Sequence, residues 1–146
     1  MKLFLSYSRH DEEIAHKLAN FLNKYHNIWF DKQDILAGDD WSLKIKQGIN
    51  HCDVLLFLVS PNSLGSTYCA YEVKAAIQQK KTVIPLMLEN TLLPPHLAKL
   101  QWVFLEDFET GLCELLGALS NRPARAWLWQ MLCLLEAIAL VVALLI

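Results

Sequence analysis

Short apolar runs alternate with amphipathic stretches from the start of the chain to Leu119, and this alternation restricts the fold more than any other feature. Residues 3–7 form a strand-like run. Asp11, Glu12 and Glu13 follow, acids that favour the first turn of a helix. Ile14, Leu18, Phe21, Leu22 and Tyr25 then recur at three- and four-residue steps, the spacing of one buried helical face. Residues 28–30 are a second short strand. Residues 31–40 are polar, contain Gly38 and lack periodicity, so they are a loop. Asp39 or Asp40 can cap the next helix, whose apolar positions Trp41, Ile45 and Ile49 stand four apart. Residues 54–59 are continuously apolar, as in a central strand covered on both faces, and residues 60–63 end it. The pattern over 68–79 is helical, with Val73, Ala76 and Ile77 apolar. Residues 83–88 are another buried strand, in which Pro85 marks a bulge or an edge. Residues 93–95 are irregular, 102–104 a short final strand, and Phe108, Leu112, Leu115, Leu116 and Leu119 a last helical face.

Parallel neighbours need crossover connections, and these are right-handed in nearly all cases. The order of elements therefore predicts an α/β fold: a flavodoxin-like parallel sheet with helices on both faces. Ligands in such sheets bind outside the carboxyl ends of the strands, so the loops after Tyr7, Phe30 and Val59 are expected to meet at one site.

The chain has 146 residues, 54% of them hydrophobic and 19% charged, which suits one core and excludes a disordered or collagen-like chain. Its 13 Lys and Arg against 15 Asp and Glu give a net charge of -2. No basic field exists to hold a phosphodiester backbone, which speaks against a nucleic-acid partner. Cys52, Cys69, Cys113 and Cys133 sit singly, with no paired spacing and no His at metal-ligand distance in sequence. Neither a metal site nor a disulfide framework is expected, and a reduced setting fits.

A mean hydropathy of +0.26 is high for a soluble domain, and the excess is concentrated at the end. Residues 124–146, 23 in all, hold only Arg125, Gln130 and Glu136 as strongly polar side chains. That length suffices for a transmembrane helix. Arg122 and Arg125 mark a cytoplasmic flank, and Trp127 and Trp129 suit the headgroup level. The expected organisation is a domain over 1–120 in the cytoplasm, a linker at 121–123 and a single membrane span over 124–146, cut short at Ile146 within the apolar run. The other reading of 124–146 is a helix packed on the domain, which Glu136, costly at mid-membrane, supports. The amino-terminal apolar run is too short for the core of a signal peptide.

Several common constellations are missing. The chain has no G-x-S-x-G, no G-x-x-x-x-G-K-[ST] and no G-x-G-x-x-G after its first strand, and only five glycines in all. His10, His16, His26, His51 and His96 are scattered and read as surface residues.

Four segments are distinctive in combination. Phe4-Leu5-Ser6-Tyr7-Ser8, then Arg9-His10-Asp11, closes the first strand. Asp31-Lys32-Gln33-Asp34-Ile35-Leu36-Ala37-Gly38-Asp39-Asp40-Trp41 follows the second. Leu58-Val59-Ser60-Pro61-Asn62-Ser63 closes the third, and Ser66, Cys69 and Glu72, three apart, open the next helix. Together, over residues 1–119, they resemble the Toll/interleukin-1 receptor (TIR) domain with the spacing of its bacterial-type members. The resemblance implies self-association for signalling and, in many members, cleavage of NAD between nicotinamide and ribose, with NAD as substrate and no cofactor. It implies Glu72 as the catalytic carboxylate. Tyr7, Ser8, Arg9, Phe30, Asp31, Ser60, Tyr68 and Cys69 are the implied substrate-binding set, and Asp34, Ile35, Leu36, Ala37, Gly38 and Asp39 the self-association loop. Tyr68 departs from the Trp frequent at its position but keeps a ring that can stack on a base. Ala37 stands where Pro often precedes the loop glycine.

The chemistry can also be argued from the residue types. Nicotinamide leaves a ribosyl carbon through an oxocarbenium-like transition state, whose charge a nearby carboxylate stabilises. The pyridinium is already cationic, so no general acid is needed and one Glu suffices. From position alone Glu72 is an acid near a helix amino terminus, expected to be partly exposed. Cys69 also reads as a small packing residue, Trp29, Phe30 and Trp41 as core or loop-packing aromatics, and Asp31 and Asp34 as turn residues. A catalytically silent adaptor acting through TIR contacts is the alternative function.

Overall fold

The computed structural model describes residues 1–30 and 40–120. Two compact units divide the chain, Met1–Trp102 and Val103–Ile146. The first carries strands β1 (Lys2–Ser6), β2 (Asn27–Phe30), β3 (Val54–Val59) and β4 (Thr82–Met87), and helices α1 (Glu12–Leu22), α2 (Trp41–His51), α3 (Pro61–Leu64), α4 (Thr67–Gln78) and α5 (Pro95–Ala98), with a 3-10 turn at Arg9–Asp11. The second holds β5 (Val103–Phe104) and α6 (Phe108–Leu119).

In the first unit the strands lie in the order β2-β1-β3-β4. Every pair is parallel, with Leu3 opposite Ile28 and Val54, and Leu56 opposite Ile84. The chain steps from β1 outward to β2 and then back across β1 to β3. Right-handed crossovers therefore put α1 and α2 on opposite faces. One face buries Phe4, Leu55, Phe57, Val59 and Val83 with Ile45 and Ile49 of α2 and Cys69, Val73 and Ala76 of α4 in one apolar cluster. Side chains alternate along a strand, so Leu3, Leu5, Leu56 and Leu58, all 0–1% exposed, serve the other face. Burial of each such side chain contributes about 2 kcal/mol.

The flavodoxin-like α/β expectation holds for this sheet. Four details differ. The register runs unbroken through Phe57 opposite Pro85, so Pro85 marks no bulge. Tyr25, Trp41 and Ile77 do not join the buried helical faces; they are 42%, 38% and 43% exposed, and Tyr25 lies past the end of α1. Residues 61–64 are helical, because Ser60 and Ser63 close a capping box and Pro61 sits where a helix start needs no N–H. Cys113 is disulfide-bonded, whereas Cys52 and Cys69 are free thiols; single cysteines far apart in sequence carried no signal of pairing. In the second unit Gly111 lets α6 approach β5: a Cβ there would lie 2.3 Å from the Phe104 carbonyl oxygen.

Among the described residues no helix is long and apolar enough to cross a membrane. The span expected over 124–146, its Arg122 and Arg125 flank and its Trp127, Trp129 and Glu136 lie outside the described residues.

Candidate functional site at the strand ends

The switch point of this sheet lies between β1 and β3, where successive crossovers leave in opposite directions. Ser6, the last residue of β1, has the same parity as Phe4 and so faces the α2 and α4 side. Helix α4 packs against β1, β3 and β4. Its start is fixed by Ser66, whose hydroxyl accepts the Cys69 N–H at 3.3 Å. Cys69 is 0% exposed, and Glu72, three residues on, shares its face.

These placements bring Glu72 over the end of β1. Ser6 Oγ donates to Glu72 Oε2 at 2.5 Å, and Glu72 is 2% exposed. The expectation of a partly exposed carboxylate is thus corrected. A carboxylate is taken from water only where donors replace the lost hydration, and a strand-end hydroxyl is such a donor. Ser6 was missing from the sequence-derived set, although a polar residue on the core parity of an apolar strand signals that a partner is required.

A second contact draws the neighbouring strand end inward. Ser60, which follows β3, donates from Oγ to Asp11 Oδ2 at 2.6 Å and accepts the Ser63 N–H at 3.1 Å. This joins the β3 exit to the 3-10 turn after β1. In that turn Ser8 Oγ accepts the His10 N–H at 3.4 Å. Asp11 is the other residue the sequence did not single out.

A third contact builds an aromatic wall. Asp40 Oδ1 caps α2 by accepting from the Ser42 and Leu43 amides at 3.0 and 3.3 Å. The Ser42 hydroxyl bond is the main cause that holds the Asp40 carboxyl below its ordinary pKa, with the Leu43 amide second. Trp41, next in the chain, stands 4.9 Å from Tyr68 and 5.2 Å from Tyr71 between ring centroids. Tyr68 is 52% exposed, so one of its sides remains open to a planar ligand.

The expected substrate-binding residues thus divide. Arg9 and Tyr68 are exposed; Tyr7, Ser8, Ser60 and Cys69 are buried, with Ser8 and Ser60 already engaged in the contacts above. Phe30 ends β2 and pairs with Leu5. Asp31 and the loop residues Asp34, Ile35, Leu36, Ala37, Gly38 and Asp39 lie outside the described residues. Among the described residues no group of three or more His, Cys, Asp or Glu is placed to hold a metal ion.

The profile of the TIR domain matches residues 3–116. The chain belongs to the TIR domain family. Its fold is similar to the TIR domain of the Toll-related receptor TRR-2 of Hydra magnipapillata, with a TM-score of 0.71 at 16% identity over 82% of this chain and 98% of that one. A metazoan TIR-STING receptor from C. gigas, solved in complex with 2',3'-cGAMP, gives 0.62 at 25% identity over 75% of this chain and 36% of the receptor. The Clostridium botulinum CMP N-glycosidase BcmB gives 0.59 at 17% identity over 79% and 98%. No curated protein matches the chain.

Proposed function

We propose that this TIR domain hydrolyses NAD at the bond between nicotinamide and ribose when its copies associate. The observation that supports this best is the Glu72 carboxylate, held by Ser6 at the switch point of the sheet. As the C–N bond breaks, its electron pair leaves with nicotinamide, which departs neutral. Positive charge grows on the ribosyl carbon, and Glu72 supplies the fixed negative charge opposite it. Water then adds to that carbon and loses a proton, giving ADP-ribose. NAD is consumed as substrate rather than retained as cofactor.

The aromatic wall of Trp41 and Tyr68 suits a base, and exposed Arg9 suits the pyrophosphate. The loop with Asp34, Ile35, Leu36, Ala37, Gly38 and Asp39 is the proposed contact between copies, and Asp31 and Phe30 border it. Residues 124–146 are the proposed single membrane span, with the domain in the cytoplasm behind Arg122 and Arg125 and the bacterial-type spacing in its motifs. The fold carries N-glycosidic bond chemistry in the Clostridium enzyme, a likeness of fold alone at 17% identity.

The burial of Glu72 also favours a second reading, a silent adaptor in which this carboxylate only ties α4 to β1. The experiment that separates them measures nicotinamide release by the full chain in detergent across a wide range of protein concentrations, beside Glu72→Gln. The amide keeps the shape and a hydrogen bond to Ser6 but loses the charge. The enzyme reading expects a loss of about 100-fold or more, the effect of removing one preorganised charge-stabilising group, with an unchanged circular dichroism spectrum. It also expects turnover per chain to climb as concentration rises. Equal, negligible release by both proteins at every concentration leaves the adaptor.

A further inference from the structure

The two ends of the first unit carry opposite charge. Crossover helices run back against the strands, so helix starts and strand exits share one end of the sheet, and helix ends and strand starts the other. Among the described residues of that unit, Asp11, Glu12, Glu13, Asp40 and Glu89 stand at the exit end against Arg9. At the start end Lys2, Lys24, Lys80 and Lys81 stand against Asp53. Helix dipoles favour acids at helix starts and bases at helix ends. Lys2 begins a strand, however, and Glu89 follows one, so the polarity goes beyond what helix ends ask for. Residues 31–39, outside the described set, hold three Asp and one Lys, a composition that keeps the sign of the exit end.

Each end also has an apolar centre. Leu92, in the connection after β4, is 93% exposed. Leu93, Leu97 and Leu100, which follow it, pack in or against the core cluster. The connection is thereby tied down, and Leu92 is presented outward. At the other end Met1 and Tyr25 are exposed, next in sequence to Lys2 and Lys24. Apolar groups within a charged rim are the anatomy of a protein contact surface.

We infer that these two faces are mates: the exit-end face of one copy, with Leu92 and its acids, docks on the start-end face of the next, with Met1, Tyr25 and its lysines. A partner of one sign would satisfy one face only, whereas a second copy satisfies both. The faces are separated by strands of five and six residues, about 13–17 Å, so neither can meet its mate within one copy. Contacts between unlike surfaces do not close as a pair; copies add along the strand direction into a ring or an open chain. This rests on the association of copies proposed above and names the surface that receives the exit end, but it does not rest on NAD cleavage.

The test is charge reversal in the full chain in detergent, read by sedimentation velocity. The native chain should associate at low salt and dissociate as salt rises, because screening weakens contacts between exposed charges. Glu12→Lys, Glu13→Lys and Glu89→Lys together make both faces basic; Lys2→Glu, Lys24→Glu and Lys80→Glu together make both acidic. Each triple variant alone should associate more weakly by about tenfold or more. Mixed in equal amounts, the two should recover association, since every contact between them again joins opposite charges. Residues 124–146 are common to all these chains, so a difference between them belongs to the faces. Leu92→Ser should weaken the native and the mixed contact alike, and with the salt dependence it tests the same contact if a reversed chain fails to fold. Equal association by native and reversed chains, no recovery on mixing folded variants, or indifference to both salt and Leu92→Ser overturns the inference. Nicotinamide release is read separately: its absence from chains that recover on mixing removes the hydrolysis and leaves the contact, and its presence without recovery does the reverse.

Discussion

A hydroxyl can donate one hydrogen bond while accepting another, and Ser60 uses both capacities to join the exit of β3 to Asp11 and to cap α3. Ser60→Ala removes the two together, at a cost of about 2 kcal/mol, roughly one for the cap and one for the bond to the carboxylate. Asp11→Ala leaves the cap and should cost about 1 kcal/mol. In urea denaturation the double variant should be no worse than Ser60→Ala alone, a coupling of about 1 kcal/mol; simple additivity would show that the bond contributes nothing. The residue scale is also where sequence reading is least complete. Glu72 became a candidate only through the TIR resemblance carried by the spacing of Ser66, Cys69 and Glu72; its position alone suggested no more than a helix-end acid. Its burial was not legible, because that depends on Ser6, far away in the chain, ending a strand beneath it. Tyr7, Ser8 and Ser60 were legible as residues of strand-end loops, but which of them turn inward is set by packing.

Elements were easier to read, since periodicity averages over many residues. The buried pair Ile45 and Ile49 of α2 follows from a four-residue step. The same step carried to Trp41 fails, because the first turn of α2 meets Tyr68 and Tyr71 instead of the sheet. Helix α3 is too short for any period to show; only the Ser-Pro start and the serine three residues on announce it. The role of Gly48 within α2 was likewise invisible, and it can be measured. Gly48→Ala gains about 1 kcal/mol of helix propensity but drives a methyl group into Trp29, an overpacking cost of about 1–3 kcal/mol. The thermal midpoint should fall by a few degrees and the tryptophan emission should shift. Gly65→Ala is the control: its nearest contact is the Pro61 carbonyl oxygen at an ordinary 3.5 Å. A stability change beyond about 0.5 kcal/mol there, or none at Gly48, would contradict this account.

For the molecule as a whole, two groups among the described residues, both held below their ordinary pKa, bear on how it meets acid. Burial, and then the amino-terminal ammonium, hold His26 below its ordinary pKa of 6.5, and its buried Nδ1 finds no hydrogen-bond partner among the described residues. The unfolded chain therefore binds this proton more readily than the folded one. Its contribution is fully present above pH 6.5 and is lost as pH falls from there through the lower folded value. The depressed carboxyl of Asp40 acts in the same sense further down, below its ordinary 3.8. Urea midpoints measured from pH 7.5 downward should decline already below pH 6.5, and His26→Gln should flatten that first decline while sparing the one near pH 3.8. A curve unchanged by the substitution would remove His26 from the account. Time adds a different consequence of the sheet order. Strand β1 is paired on both edges, with β2 and with β3, and Ser6, the anchor of Glu72, belongs to it. Amide protons of such a strand exchange with solvent only when the unit opens globally. In deuterium oxide the amides of Phe4 and Leu5 should be among the last to disappear. Glu72 is thus held on a clock set by unfolding, while the exposed side chains of Tyr68 and Arg9 move within nanoseconds.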